Sequence, residues 1–195
     1  MTYGKLKQKI LSLLDLKTES GVVSGSVYDD VISSMAGAVD SAARKISSML
    51  KNIIKQTSLT FDGTDTVKAS APSGFIALKS VVIDGKSYAP SLFFISGGYI
   101  VGDGVPAGAA DVYYYSYPSS VENMTDASNT DFDGVFFDLV ALGAAIELCA
   151  LAYPGDFERY STLSTEYDGK MACAFISGGD CSLVGNSLYG KRTLV

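Results

Sequence analysis

Apolar positions along the chain follow two rhythms. Near the start, Leu6, Ile10, Leu13 and Leu14 recur at helical spacing, and Gly21 with Gly25 then marks a loop. From Ser26 onward, Tyr28, Val31, Ile32, Met35, Val39, Ala42, Ile46, Met49, Leu50 and Ile53 hold one face for about seven turns, which predicts a long amphipathic helix. Ser26 followed by Asp29 reads as its N-cap pair, with the acid near the positive end of the dipole. The opposite face carries Asp40, Arg44, Lys51 and Lys55, the pattern of a solvated side.

At about Thr57 the rhythm shortens. Residues 58–117 are rich in Val, Ile, Tyr and Phe and are punctuated by Asp62-Gly63, Asp84-Gly85, Gly97-Gly98 and Asp103-Gly104, dipeptides that suit tight turns between short strands. An all-β module of four to six strands is predicted. Its last run, VYYYSY from Val112 to Tyr117, puts Tyr113, Tyr115 and Tyr117 on one face and Tyr114 on the other. Such a face suits packing at a sheet or subunit interface, and it would also suit stacking on a sugar or base.

A polar stretch, 118–131, precedes a second helical region from about Phe132 to Tyr153, with Thr130 and Asp133 as candidate caps. Phe132, Phe136, Leu139, Gly143, Ile146 and Ala150 line one side of that helix, and Phe137, Val140, Ala144, Leu148 and Leu151 line a second. A helix apolar on two sides needs two partners, so the second set is predicted as a subunit interface. Pro154-Gly155 ends it, Asp156 can cap a last helix, and Tyr160, Leu163, Tyr167 and Met171 carry a helical face to about Ala174. The remainder, 176–195, lacks helical periodicity and reads as an extended arm that orders on a partner.

Charge and composition narrow the function. The 195 residues include 21 acidic and 15 basic side chains, no His and no Trp. A formal charge of -6 argues against nucleic-acid reading. Without His, most metal sites and most Ser/His or Cys/His nucleophiles are excluded. The net charge is +3 over 1–57, -2 over 58–117 and -7 over 118–195, so the two ends carry opposite charge. Cys149, Cys173 and Cys181 form no CxxC pair and read as reduced thiols. The N-terminal lysines and leucines imitate a signal peptide, but Asp15 and Lys17 interrupt the apolar run. The longest uncharged run, Ser87–Gly102, contains Pro90, Gly97 and Gly98 and is shorter than the roughly 20 residues of a membrane span. No membrane segment is expected, and a soluble protein of a reducing cytoplasm is.

Candidate chemistry is sparse. Asn129, Asp131, Asp133 and Gly134 match the first half of a calcium loop, yet Val140 stands where the bidentate acid belongs. Gly102, Gly104 and Gly108 miss the dinucleotide-loop spacing and read as a turn. The pairs Asp156/Glu158 and Glu166/Asp168 are too close in sequence to flank a glycosidic bond. No catalytic residue, metal or cofactor is expected, and the protein is read as a non-enzyme.

The order of these segments carries a resemblance. An N-terminal helix pair is followed by a β insertion with a DGKSY turn (Asp84–Tyr88), a strand ending YYYSYP (Tyr113–Pro118), an acidic polar loop, a small-residue helix, and a last helix reading DFERYSTLSTEYDGKM. In this the chain resembles, over about residues 3–175, the head-to-tail adaptor (connector, head-completion) proteins of tailed bacteriophages. The resemblance implies a virion neck protein assembled in the host cytoplasm, a ring of commonly twelve copies, and docking between the portal and the next neck or tail protein. Genomic DNA would pass non-specifically through the lumen. It also implies that the arm reaches the portal, with Leu183, Val184, Leu188, Tyr189 and Leu194 as anchors and Lys191 and Arg192 meeting acidic or carbonyl groups. No catalytic residue carries over. The large β insertion departs from smaller adaptors and leaves the role of 58–117 open. The expected fold is α+β: a helical bundle (1–57 and 132–175), an inserted β module (58–117), a polar loop (118–131) and a C-terminal arm (176–195). Other neck components, such as a stopper or tail terminator, and a carbohydrate- or receptor-binding virion module stand as alternatives.

Overall fold

A computed structural model describes residues 1–18, 21–22, 26–64 and 66–177. The protein is α+β, with two compact units, one formed by the described residues of 1–50 and 118–177 and the other by Lys51–Tyr117.

The helical unit contains α1 (Tyr3–Leu13), a two-residue strand pair β1 (Lys17–Thr18) and β2 (Gly21–Val22), α2 (Ser26–Leu50), α3 (Gly134–Ala152) and α4 (Phe157–Ser177). The apolar stripe of α2 is buried at Val31, Met35, Val39, Ala42 and Ile46, while Ile32 and Met49 are exposed. Asp29 lies in its first turn. The helix ends at Leu50, because Lys51 takes a left-handed φ of 49°, so Ile53 lies beyond the helix and strand structure already begins at Ile54.

Packed against α1, α2 and α4, α3 is the centre of this unit. Of its 19 residues, 11 are buried, around the whole circumference. Among the described residues α3 is the one helix long and apolar enough to cross a membrane; Asp138 and Glu147 punctuate it, so a search for uncharged runs passes it over. Its apolar surface is instead covered by the neighbouring helices. Asp138 ties three helices together: its carboxylate pairs with Lys9 of α1 and, at 3.4 Å, with Lys170 of α4. Burial alone would raise its pKa, but the hydrogen bond from Lys9 and the charges of Lys170 and Lys9 outweigh burial and hold it below the ordinary carboxylate value.

The polar segment 118–131 is clamped to the helices. Tyr3 and Gly4 donate their backbone amides to the carbonyls of Ser128 and Asp126 at 2.9 and 3.0 Å, and Thr130 donates to Met1 at 2.8 Å. A Cβ at Gly4 would stand 2.9 Å from the Asp126 carbonyl oxygen, so glycine permits this approach. Asp40, expected on a solvated face, accepts from the Val121 amide at 2.9 Å and from the Ser120 hydroxyl. The proposed Thr130/Asp133 cap is also revised. Asp133 occupies the N-cap without a side-chain bond, and the Thr130 hydroxyl donates to the carbonyls of Met1 and Phe132.

The β unit has seven strands where four to six were expected: β3 (Ile54–Phe61), β4 (Thr66–Ser70), β5 (Phe75–Ile83), β6 (Lys86–Tyr88), β7 (Phe93–Ser96), β8 (Tyr99–Asp103) and β9 (Gly108–Ser116). They form antiparallel sheets ordered β3-β9-β5-β6 and β4-β8-β7. One core, including Phe61, Val81, Ile83, Phe93, Ile100, Val112 and Tyr114, joins the sheets. Asp84 and Gly85 (φ 49° and 76°) close the β5–β6 hairpin, and Gly97 and Gly98 (57° and 80°) close β7–β8; both are two-residue turns with the paired positive φ that matches strand twist. In β9, Tyr114 is buried and stacks on Phe75 at 5.7 Å, whereas Tyr113 and Tyr115 are half-buried on the other face.

Candidate assembly surfaces

The α3–α4 connection is fixed by backbone and side-chain contacts. The Tyr153 amide closes α3 by donating to the Cys149 carbonyl at 2.8 Å, and its hydroxyl donates to the Leu14 carbonyl at 2.6 Å. Gly155, at φ 85°, reverses the chain. The Asp156 carboxylate then accepts from the Arg159 amide at 3.0 Å, the cap its position in the sequence suggested. The Arg159 guanidinium lies 4.1 Å from the centre of the Tyr153 ring and pairs with Asp15 at 2.9 Å. Arg159 thereby joins the start of α4 to the end of α1.

Locked in this way, the turn holds apolar side chains out in solvent. Phe157 is 83% exposed, Leu151 is 46% exposed, and Tyr160 is also exposed. Beside them a shallow cavity of about 200 Å³ is lined by Cys149, Ala150, Tyr153, Phe157 and Tyr160. Burial raises the Cys149 thiol pKa, and Asp156 adds to the shift while Arg159 opposes it, so the thiol is not activated. A second groove, about 400 Å³, runs between α2, α3 and α4 and is lined by Ala42, Lys45, Gly143, Glu147 and Tyr167. A Cβ at Gly143 would approach that of Ala42 to 3.0 Å, so this glycine sets the α2–α3 spacing. Burial first, and then Asp168 and Glu147, raise the Tyr167 phenol pKa.

The expected subunit-interface residues separate. Phe137, Val140, Ala144 and Leu148 are buried within the chain's own helical unit, because α1, α2 and α4 together cover both apolar sides of α3. Only Leu151 of that set is exposed. Phe157, which the periodicity did not single out, is the most exposed large apolar side chain among the described residues. Its one signal in the sequence is its place immediately after the capping Asp156, at a helix start that extends past the packed stripe. Leu183, Val184, Leu188, Tyr189, Lys191, Arg192 and Leu194 lie outside the described residues.

The remaining candidates are drawn into structural contacts. Asp131 accepts from the Ser119 amide at 2.7 Å, and among the described residues no group of three or more metal-ligating side chains converges. Of the acid pairs, Asp156 caps α4 and Glu166 pairs with Lys170 one turn away.

The family profile of the SU10 adaptor proteins matches residues 1–175, and the chain belongs to this family. That membership makes it a phage adaptor, a structural component of the virion, and agrees with the resemblance drawn from the order of its segments. No curated protein sequence matches the chain.

Proposed function

We propose that this SU10 adaptor builds a homo-oligomeric ring between the capsid portal and the tail, extending the channel through which genomic DNA passes. The family match, which runs through both the helical unit and the β module, carries this reading. The exposed Leu151 and Phe157 support it, since a rigid turn that holds large apolar groups in water is suited to burial against a neighbour. In the ring these side chains meet the adjacent copy, in place of the four α3 residues that the chain buries itself. An acidic lumen wall, drawn from the -7 of the region from 118 onward, repels phosphate and keeps passage non-specific. The arm, which begins after Ser177 and not at 176 because α4 runs to that residue, engages the portal.

The test is the mass of the purified protein alone and after mixing with portal rings. A ring, formed alone or on the portal, is expected. Phe157→Ser combined with Leu151→Ser is expected to leave the fold intact and lower ring occupancy at least tenfold, about 1.4 kcal/mol per decade. A protein that stays monomeric and never joins portal rings overturns the reading.

A further inference from the structure

The uncharged run Ser87–Gly102, set aside above as too short for a membrane, contains an exposed sheet edge. It spans 16 residues and includes β7, the terminal strand of the β4-β8-β7 sheet. The two-residue turn at Gly97-Gly98 fixes the register as Ser96 opposite Tyr99, Ile95 opposite Ile100 and Phe94 opposite Val101. In a hairpin of this type the residues flanking the turn exchange backbone hydrogen bonds, as do those two positions further along. The Ile95 N–H and C=O therefore point away from β8, toward the open edge. Phe94 and Ile95 are 53% and 51% exposed, and Leu92 and Tyr99 are exposed beside them.

The other three sheet edges of the module carry the devices that normally prevent strand addition. β3 bears Lys55, and β6 has only three residues and begins with Lys86. β4 bears Lys68, whose backbone amide and carbonyl are already bonded to Asp62 at 2.9 and 3.0 Å. β7, with the sequence FFIS, has neither charge nor proline.

We propose that the open edge of β7 is a strand-addition site for an uncharged, extended segment of a different protein chain. Backbone pairing at Ile95 supplies the alignment, and Phe94, Ile95 and Leu92 receive alternate apolar side chains of the incoming strand. The lack of charge across residues 92–96 matches an uncharged partner segment. A sheet edge of a second copy does not fit. The copy's other edges are guarded, and β7-to-β7 pairing is a two-fold contact that a head-to-tail ring does not propagate. On that last point the inference rests on the ring reading.

Hydrogen exchange at the Ile95 amide tests it, comparing the isolated full chain, its homo-oligomer and intact virions. Fast exchange is expected in the isolated chain and in the homo-oligomer, with exchange at least about tenfold slower in virions. Equal rates in all three overturn the proposal. Protection already present in the monomer assigns the edge to the chain's own segments, and protection arising in the homo-oligomer assigns it to a copy; both overturn it. Should the chain form no homo-oligomer on its own, the monomer-to-virion comparison still decides the edge; the ring reading fails separately, if the chain also never joins portal rings. In parallel, Ile95→Pro removes the outward N–H at a site where an edge strand tolerates proline. It is expected to keep the homo-oligomer mass while virions lose one other chain severalfold, with Ile95→Val restoring it. Full retention of every virion chain in a folded Ile95→Pro protein overturns the proposal.

Discussion

The two units of the chain differ in what holds them together, backbone pairing in one and side-chain packing in the other. The β module is a continuous segment with five strand pairings, of which β5–β6 and β7–β8 are two-residue hairpins while β3–β9, β4–β8 and β5–β9 join strands further apart, around a small core at Phe61, Ile100 and Val112. The helical unit is assembled from two separated stretches, and its centre, α3, meets α1 and α2 only after the chain has passed through the whole module. Backbone pairing, with tight turns at two hairpins, specifies the first, and side-chain burial between distant helices specifies the second. Contacts between distant segments are slower to form and depend on side chains whose partners are not nearby in sequence.

Core truncations separate the units most sharply. Leu139→Ala removes a fully buried side chain at the centre of α3 and is expected to cost about 2–5 kcal/mol. Phe61→Ala does the same in the β core, at about 3–5 kcal/mol. In a melt followed by helical circular dichroism and by residue-resolved amide signals of the module, each substitution should lower one transition and spare the other. A single transition lowered equally by both would show that the units unfold together.

That contrast also explains what could be read without coordinates. The Asp84-Gly85 and Gly97-Gly98 turns were legible because positive φ at two successive residues is a local demand that few residue types meet. The α+β class and the α2 stripe were legible from periodicity. The fate of Phe137, Val140, Ala144 and Leu148 was not, because the pattern shows that a face is apolar and is silent on whether the cover comes from the same chain or another. Asp40 looked solvated for the same reason: its partners, Ser120 and Val121, are some eighty residues away. Phe157 escaped because exposure at a helix start follows from how the turn is locked by Tyr153 and Arg159, a tertiary property.

A smaller effect probes the tight turns of the module. Gly98, at φ 80°, has open space around its missing Cβ, so Gly98→Ala strains only the backbone. A loss of about 1–2 kcal/mol is expected, confined to the module's transition. An unchanged midpoint would mean that the β7–β8 turn is not held in its left-handed geometry. In the helical unit the matching probe has the opposite sign. Ser47 is fully buried and, among the described residues, its hydroxyl has no hydrogen-bond partner. Ser47→Ala is expected to stabilise by up to about 1 kcal/mol, visible as a higher helical melting point.

The smallest expected effect is electrostatic and separates the units by pH. Asp138 is held below its ordinary pKa in the folded state, with Lys9 and Lys170 as partners. A depressed folded-state value means that the carboxylate contributes stability above the unfolded pKa, near 3.9 for Asp. That contribution is lost as pH falls from the unfolded value through the folded one. The pair is about one-third exposed, which reduces its worth to about 0.5–1 kcal/mol. Asp138→Asn should therefore lower the helical transition slightly at neutral pH and converge with the parent chain in acid, leaving the β transition unmoved at every pH. A gap between variant and parent that persists below the folded-state pKa would indicate that Asp138 acts by packing, not by charge.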